Sequence, residues 1–169
     1  RAKSVPLSPE AQILLGLTVD EAPPEVVVNA ILKMEVDLLW NGGIGTYMKA
    51  STETHAEADD RSNDAVRIDG NQIRAKVLGE GGNLGVTQRG RIEAARNGLR
   101  INTDFIDNSA GVDLSDHEVN LKILLDRVVA RGDLDVDGRN AMLREVADEV
   151  AHLVLANNDA QGRQITRDV

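Results

Sequence analysis

Apolar residues recur at helical spacing in several stretches and fall into short runs elsewhere. Ser8-Pro9-Glu10 predicts a helix through Gly16, with Ser8 as its N-cap and Pro9 at the first helical position. Pro23-Pro24 stops whatever precedes it and starts the next helix, Glu25 to Met34, whose stripe is Val27, Ala30, Ile31 and Met34. Val36 to Trp40 is a short apolar run that ends in Asn41-Gly42-Gly43-Ile44-Gly45, the pattern of a strand followed by a glycine turn. Ser51 to Asp64 is polar and acidic and reads as a loop with one helical turn. Asp69-Gly70 is a turn signal. Arg74 to Leu78 reads as a second strand, again ending in glycines, Gly79-Glu80-Gly81-Gly82-Asn83.

Thr87 to Asn97 predicts a helix closed by Gly98, and Leu99 to Asn102 a third strand. Asn108 to Gly111 reads as a turn. Ser115 to Arg131 then predicts a strongly apolar helix ended by Gly132, and Asp137 to Asn157 a last helix with Met142, Leu143, Val146, Val150, Leu153 and Val154 as its stripe. Asp159 to Val169 reads as a frayed polar tail. Strand alternating with helix is the order of a parallel α/β sheet. The expected fold is therefore α/β: a partial Rossmann-like parallel sheet of about three strands, then a helical C-terminal end.

Composition narrows the chemistry. The chain has 169 residues, with 19 Lys and Arg against 28 Asp and Glu, a net charge of −9. That balance argues against nucleic acid and against an anionic membrane surface as partners. No apolar run reaches the ~18–20 residues of a membrane span. Arg1 to Pro9 lacks the apolar core of a signal peptide, and the absence of cysteine fits the cytoplasm. With no cysteine, and with His55, His117 and His152 on different segments, no metal site is expected.

The dinucleotide fingerprint G-x-G-x-x-G fails at both glycine turns: Leu84 and Met48 stand where the last glycine belongs. Both turns nevertheless follow strands, and open α/β sheets bind ligands beyond the carboxyl ends of their strands. They serve either a ligand or only tight-turn geometry. Ser115 followed by Glu118 is a capping-box pattern within the acidic run Asp113 to Glu118, and a helix start there would also attract a carboxylate or phosphate.

Two ordered motifs carry a resemblance. Glu80-Gly81-Gly82-Asn83, then Thr87, then Asn108-Ser109-Ala110-Gly111-Val112 with Ser115 three residues on, resembles the glutamate dehydrogenases, whose pattern is E-G-A-N, a Thr, then N-A-G-G-V-x-x-S. The run Asp37 to Ala50 (Asp-Leu-Leu-Trp-Asn-Gly-Gly-Ile-Gly-Thr-Tyr-Met-Lys-Ala), with Asp113-x-Ser115-Asp116-His117-Glu118-Val119-Asn120, resembles the very long NAD-specific bacterial members. The likeness runs from about Leu14 to Asn157. Gly82 stands where the short enzymes have Ala, and Ser109-Ala110 replaces Ala-Gly. Each exchange swaps one small residue for another, so close backbone approach is expected to survive.

The resemblance implies residues 1–112 as the end of an NAD-binding domain and 113–169 as helices returning toward the substrate domain. It implies that Gly42, Gly43, Ile44, Gly45, Asn83 and Asn108 bind the cofactor, and that Asn108, Val112 and Ser115 bind L-glutamate or 2-oxoglutarate. The family's glycine-flanked lysine and its aspartate have no counterpart. Lys3, Lys33, Lys49, Lys76 and Lys122 all lie outside that motif, so no catalytic residue is expected. The chain then reads as a fragment of a cytoplasmic, homo-oligomeric NAD-dependent glutamate dehydrogenase, inactive alone and partnered by the rest of its parent chain. The alternatives are a catalytically silent nucleotide-sensing or scaffold module, and a helical interaction domain built on Ser115 to Asn157.

Overall fold

The computed structural model describes residues 3–168, and these fall into two compact units that divide between Asp104 and Phe105. The first unit opens with β1 (Val5–Pro6), α1 (Pro9–Leu15), β2 (Glu21–Ala22) and α2 (Pro24–Leu32). β1 and β2 pair antiparallel around α1. Ser8 caps α1 as expected, its Oγ accepting from the Ala11 amide at 3.2 Å.

The centre of this unit is a three-stranded sheet of β3 (Leu38–Asn41), β6 (Val77–Glu80) and β7 (Arg100–Ile101) in the order β3-β6-β7. Both pairings are parallel, as the strand-helix alternation requires. Between β3 and β6 lie β4 (Met48–Lys49) and β5 (Ile68–Asp69), which form a second parallel pair that the polar composition of this stretch conceals. A single 3₁₀ turn, Arg61–Asn63, lies in the acidic loop, as expected there. α3 (Gln88–Arg96) packs on these strands. Thr87 caps it, Oγ1 accepting from the Gly90 amide at 3.0 Å. Met48, Ile68, Ala75, Leu78, Val86, Ala94 and Leu99 form the core between sheet and helix.

The central strands run further toward their carboxyl ends than the apolar runs suggest. Arg74–Leu78 and Val36–Trp40 give way to Val77–Glu80 and Leu38–Asn41. The reason is local. Gly79 has no side chain, and the Trp40 indole lies across it, so that a β-carbon there would meet the ring at 2.5 Å. Pairing therefore continues through Gly79 to Glu80 opposite Asn41.

The second unit is helical: α4 (Asp104–Asp107) at the division, then α5 (Ser109–Ala130), α6 (Val136–Glu145) and α7 (Ala147–Asp168). Three expectations fail here. Asn108 to Gly111 is not a turn, because α5 starts at Ser109, six residues before Ser115. α7 secures that start. Asn158 Nδ2 donates to Ser109 Oγ at 2.7 Å and to the Ile106 carbonyl at 3.0 Å. Such a tertiary tie offsets the poor helix propensity of Gly111. The last helix is two helices, interrupted at Val146 with no breaking residue in the sequence. The tail is helical through Asp168 rather than frayed, supported by the Asp159–Arg163 pair at 2.7 Å and by Thr166 donating to the Gly162 carbonyl at 2.9 Å. Val169 lies outside the described residues.

Candidate functional site

The two glycine turns leave adjacent parallel strands at the same end, β3 into Gly42–Gly45 and β6 into Gly81–Gly85. They touch. A β-carbon on Gly82 would stand 2.8 Å from the Gly43 carbonyl oxygen, so this crossing has room for glycine only. Gly81 tightens the junction, its amide donating to the Asn41 carbonyl at 2.8 Å. Gly42, Gly43 and Ile44 are exposed, and so is Asn83. Ile44 is 85% exposed, an apolar side chain left bare at the lip of the sheet.

The Gly42–Gly45 turn ends on a buried anchor. Gly45 takes φ +128°, a backbone region closed to side chains, with the Asn63 amide packed against it. Thr46 follows. Its amide donates to Asp60 Oδ2 at 2.8 Å and its hydroxyl to the Leu84 carbonyl at 2.8 Å, tying the first turn to the second. Asn63 Nδ2 donates to the same Asp60 oxygen at 2.6 Å. These bonds, that from Asn63 foremost, hold the Asp60 carboxyl below its ordinary value. Beneath them the Arg67 guanidinium, wholly buried, donates through Nε to the Thr46 carbonyl at 2.8 Å, through Nη1 to Asp64 at 2.6 Å, and through Nη2 to the Asp60 carbonyl.

The second turn is set by charge. The Glu80 side chain has no solvent exposure. Its Oε2 accepts from Arg91 Nη2 at 2.6 Å and its Oε1 from the Val86 amide at 3.1 Å. Burial pushes the Glu80 carboxyl up from its ordinary value, against the pull of Arg91. Arg91 Nη2 also lies 3.8 Å from Asp104, whose Oδ2 accepts from the Leu84 amide at 2.8 Å. Leu84 itself has φ +58°.

In the second unit Asn108 stands at the N-cap of α5. Asn108, Val112 and Ser115 are spaced by four and three residues and so share one helix face. Val112 and Ser115 are exposed. The Ser115 hydroxyl donates to the Val112 carbonyl at 2.9 Å. Since α5 begins at Ser109, Ser115 is not its cap, and the capping-box reading of Ser115 and Glu118 is overturned. Glu118 instead pairs with Lys122. Among the described residues no cluster of His, Asp and Glu suits a metal, and no helix is long and apolar enough to cross a membrane.

Sequence reasoning brings Gly42–Gly45 and Asn83 forward, and the structure joins their turns. It passes over Arg67, Arg91 and Asp104, and it quotes Glu80 only as part of a motif. A clue was present: a lone glutamate between glycines at the end of an apolar strand has one face of the sheet to occupy, and burial there demands a cation.

Fold and turns define an α/β segment with a ligand-type edge, two abutting glycine turns beyond the carboxyl ends of parallel strands. Residues 1–168 match the family described as bacterial NAD-glutamate dehydrogenase, catalytic domain. The chain is 55% identical over 160 residues to the NAD-specific glutamate dehydrogenase of Halomonas elongata, covering 95% of this chain and 10% of that protein. It is 52% identical over 165 residues to the enzyme of the same name from Pseudomonas aeruginosa (98% and 10% covered) and 54% identical over 165 residues to that of Mycobacterium tuberculosis (94% and 10%). The chain belongs to the bacterial NAD-glutamate dehydrogenase family, and it spans about a tenth of the length of these curated relatives.

Proposed function

We propose that this chain is a segment of a longer NAD-dependent glutamate dehydrogenase, which oxidatively deaminates L-glutamate to 2-oxoglutarate and ammonium. Residues 1–112 form the end of its NAD-binding domain and residues 113–169 the helices returning toward the substrate domain. The observation that carries this reading is the contact between Gly82 and Gly43, together with the family match over residues 1–168. It brings the turn bearing Asn83 against Gly42–Gly45 at the edge where α/β sheets receive nucleotides.

The residues present fit such a cofactor. A β-carbon on Gly43 would meet nothing within 4 Å, so bare backbone faces outward there. Asn83 beside it offers an amide that both donates and accepts, as ribose hydroxyls require. Bound NAD supplies the hydride acceptor. In this segment Gly42, Gly43, Ile44, Gly45 and Asn83 hold the ribose side. Asn108 orients the carboxamide and the substrate. Val112 packs against glutamate, and the Ser115 hydroxyl, which donates to the Val112 carbonyl in this structure, turns to donate to the glutamate carboxylate on binding. None of these residues moves a proton, and the amine chemistry belongs to other parts of the longer chain. We place the enzyme in the cytoplasm as a homo-oligomer, a reading supported by the cysteine-free acidic sequence for the first and by the family alone for the second.

The test is glutamate-dependent NAD reduction, followed by absorbance. The full-length enzyme turns over, and Asn83→Ala raises its KM for NAD. The 169-residue chain alone shows no turnover. Robust activity of that chain would overturn the segment reading, and an unchanged KM in Asn83→Ala would overturn the cofactor assignment.

A further inference from the structure

The Glu80–Arg91 pair is expensive to bury. Two charges removed from water recover their desolvation only when their geometry is good and their remaining hydrogen-bonding capacity is used, and apolar residues of equal volume are often as stable. Packing alone therefore gives little reason for it. Its remaining bonds supply one.

Glu80 Oε1 accepts from the Val86 amide at 3.1 Å. Asp104 Oδ2 accepts from the Leu84 amide at 2.8 Å. Arg91 Nη2 lies between the two carboxylates, 2.6 Å from Glu80 and 3.8 Å from Asp104. The other side of the same turn is fixed by backbone and hydroxyl. Leu84 O accepts from Thr46 Oγ1 at 2.8 Å, and Gly85 O accepts from the Tyr47 amide at 2.9 Å and the Met48 amide at 3.2 Å. Leu84 is held at φ +58°, where a branched side chain does not rest unless its neighbours impose it. That left-handed residue directly follows Asn83, so the bonds that impose it also set where Asn83 leaves the chain.

We propose that Glu80, Arg91 and Asp104 are positioning residues: a buried ion pair and the partly exposed carboxylate beside it grip the Val86 and Leu84 amides and thereby set Asn83 for the cofactor, without touching the cofactor themselves. Apolar substitutes would fill the same space and grip neither amide. The proposal rests on the reading of Asn83 as a cofactor contact.

The experiment compares Asn83→Ala, Asp104→Ala, Asp104→Asn, Glu80→Gln and the double variant Asn83→Ala/Asp104→Ala in the full-length enzyme. KM for NAD and for glutamate, melting temperature and direct NADH binding are measured for each. Asp104→Ala should raise KM for NAD about three- to tenfold, the loss of one hydrogen bond to a charged acceptor felt at second hand, with KM for glutamate unmoved. Asp104→Asn keeps an acceptor for the Leu84 amide and should restore the wild-type constant. Glu80→Gln keeps an acceptor for the Val86 amide but gives up the ion pair with Arg91, so it should shift the same constant in the same direction by less than Asp104→Ala does, and if it fails to fold, the Asp104 pair carries the test. The double variant should bind NADH no worse than Asn83→Ala, because the effect of Asp104 runs through Asn83. If Asp104→Ala lowers only the melting temperature while Asn83→Ala weakens NADH, the cluster is structural and the proposal falls alone. Additive effects in the double variant would overturn it in the same way. If Asn83→Ala leaves NADH binding intact, the cofactor reading falls and takes the positioning role with it.

Discussion

Gly82 and Gly43 meet backbone to backbone: a β-carbon on Gly82 would lie 2.8 Å from the Gly43 carbonyl oxygen. The obstacle is main chain on a turn anchored at Thr46, and no flexible side chain can swing aside. Gly82→Ala should therefore destabilise the chain by about 1–3 kcal/mol, the usual cost of overpacking, even though the short glutamate dehydrogenases carry alanine here. Thermal unfolding of the variant measures it. In the full-length enzyme the same change should raise KM for NAD more than KM for glutamate, because it pries the Asn83 turn from Gly42–Gly45.

Arg91 supplies the countercharge to a carboxylate with no solvent exposure. Arg91→Ala should cost about 3–5 kcal/mol near neutral pH, since it strands Glu80. The loss should depend on pH in a definite sense. Burial already raises the Glu80 carboxyl above its ordinary 4.5, and removing Arg91 raises it further. A carboxyl with a folded pKa above its unfolded one takes up a proton on folding, so stability falls as pH rises through that interval. Urea unfolding at about pH 5 and pH 8 should show the smaller deficit at the acidic value.

Asp60 has the opposite sign. Its carboxyl is held below the ordinary 3.8 by the bonds from Asn63 and the Thr46 amide. The stability it contributes is present above 3.8 and is lost as pH falls through its lower folded value. Asp60→Asn should cost about 1 kcal/mol or less near neutral pH, because solvent screens the site. The difference between variant and wild type should shrink as pH falls from 3.8 through that lower folded value, read as melting temperature across an acid series.

Ser115 lies within α5, its hydroxyl donating to the Val112 carbonyl in this structure. Ser115→Ala should change stability by no more than about 0.5 kcal/mol, not the ~0.5–2 kcal/mol of a lost cap. A raised KM for glutamate in that variant of the full-length enzyme then reports substrate contact directly. A clear drop in melting temperature would contradict the helix boundary.

Ser8 before Pro9, Thr87 before α3 and the glycines after β3 and β6 act through bonds and dihedral limits within a few residues, so their roles were open to the sequence. The three parallel strands followed from the alternation of short apolar runs with helical periodicity. Tertiary structure decided what distant partners impose. Asn158 makes a helix start of Asn108–Gly111, and Trp40 carries pairing across Gly79. Arg67 gathers Thr46, Asp60 and Asp64, and Arg91 draws Glu80 into the interior. A buried charge is stable only beside its counterion, and that counterion can come from any point along the chain. Local spacing states the need for a partner, and only the folded chain says which residue answers it.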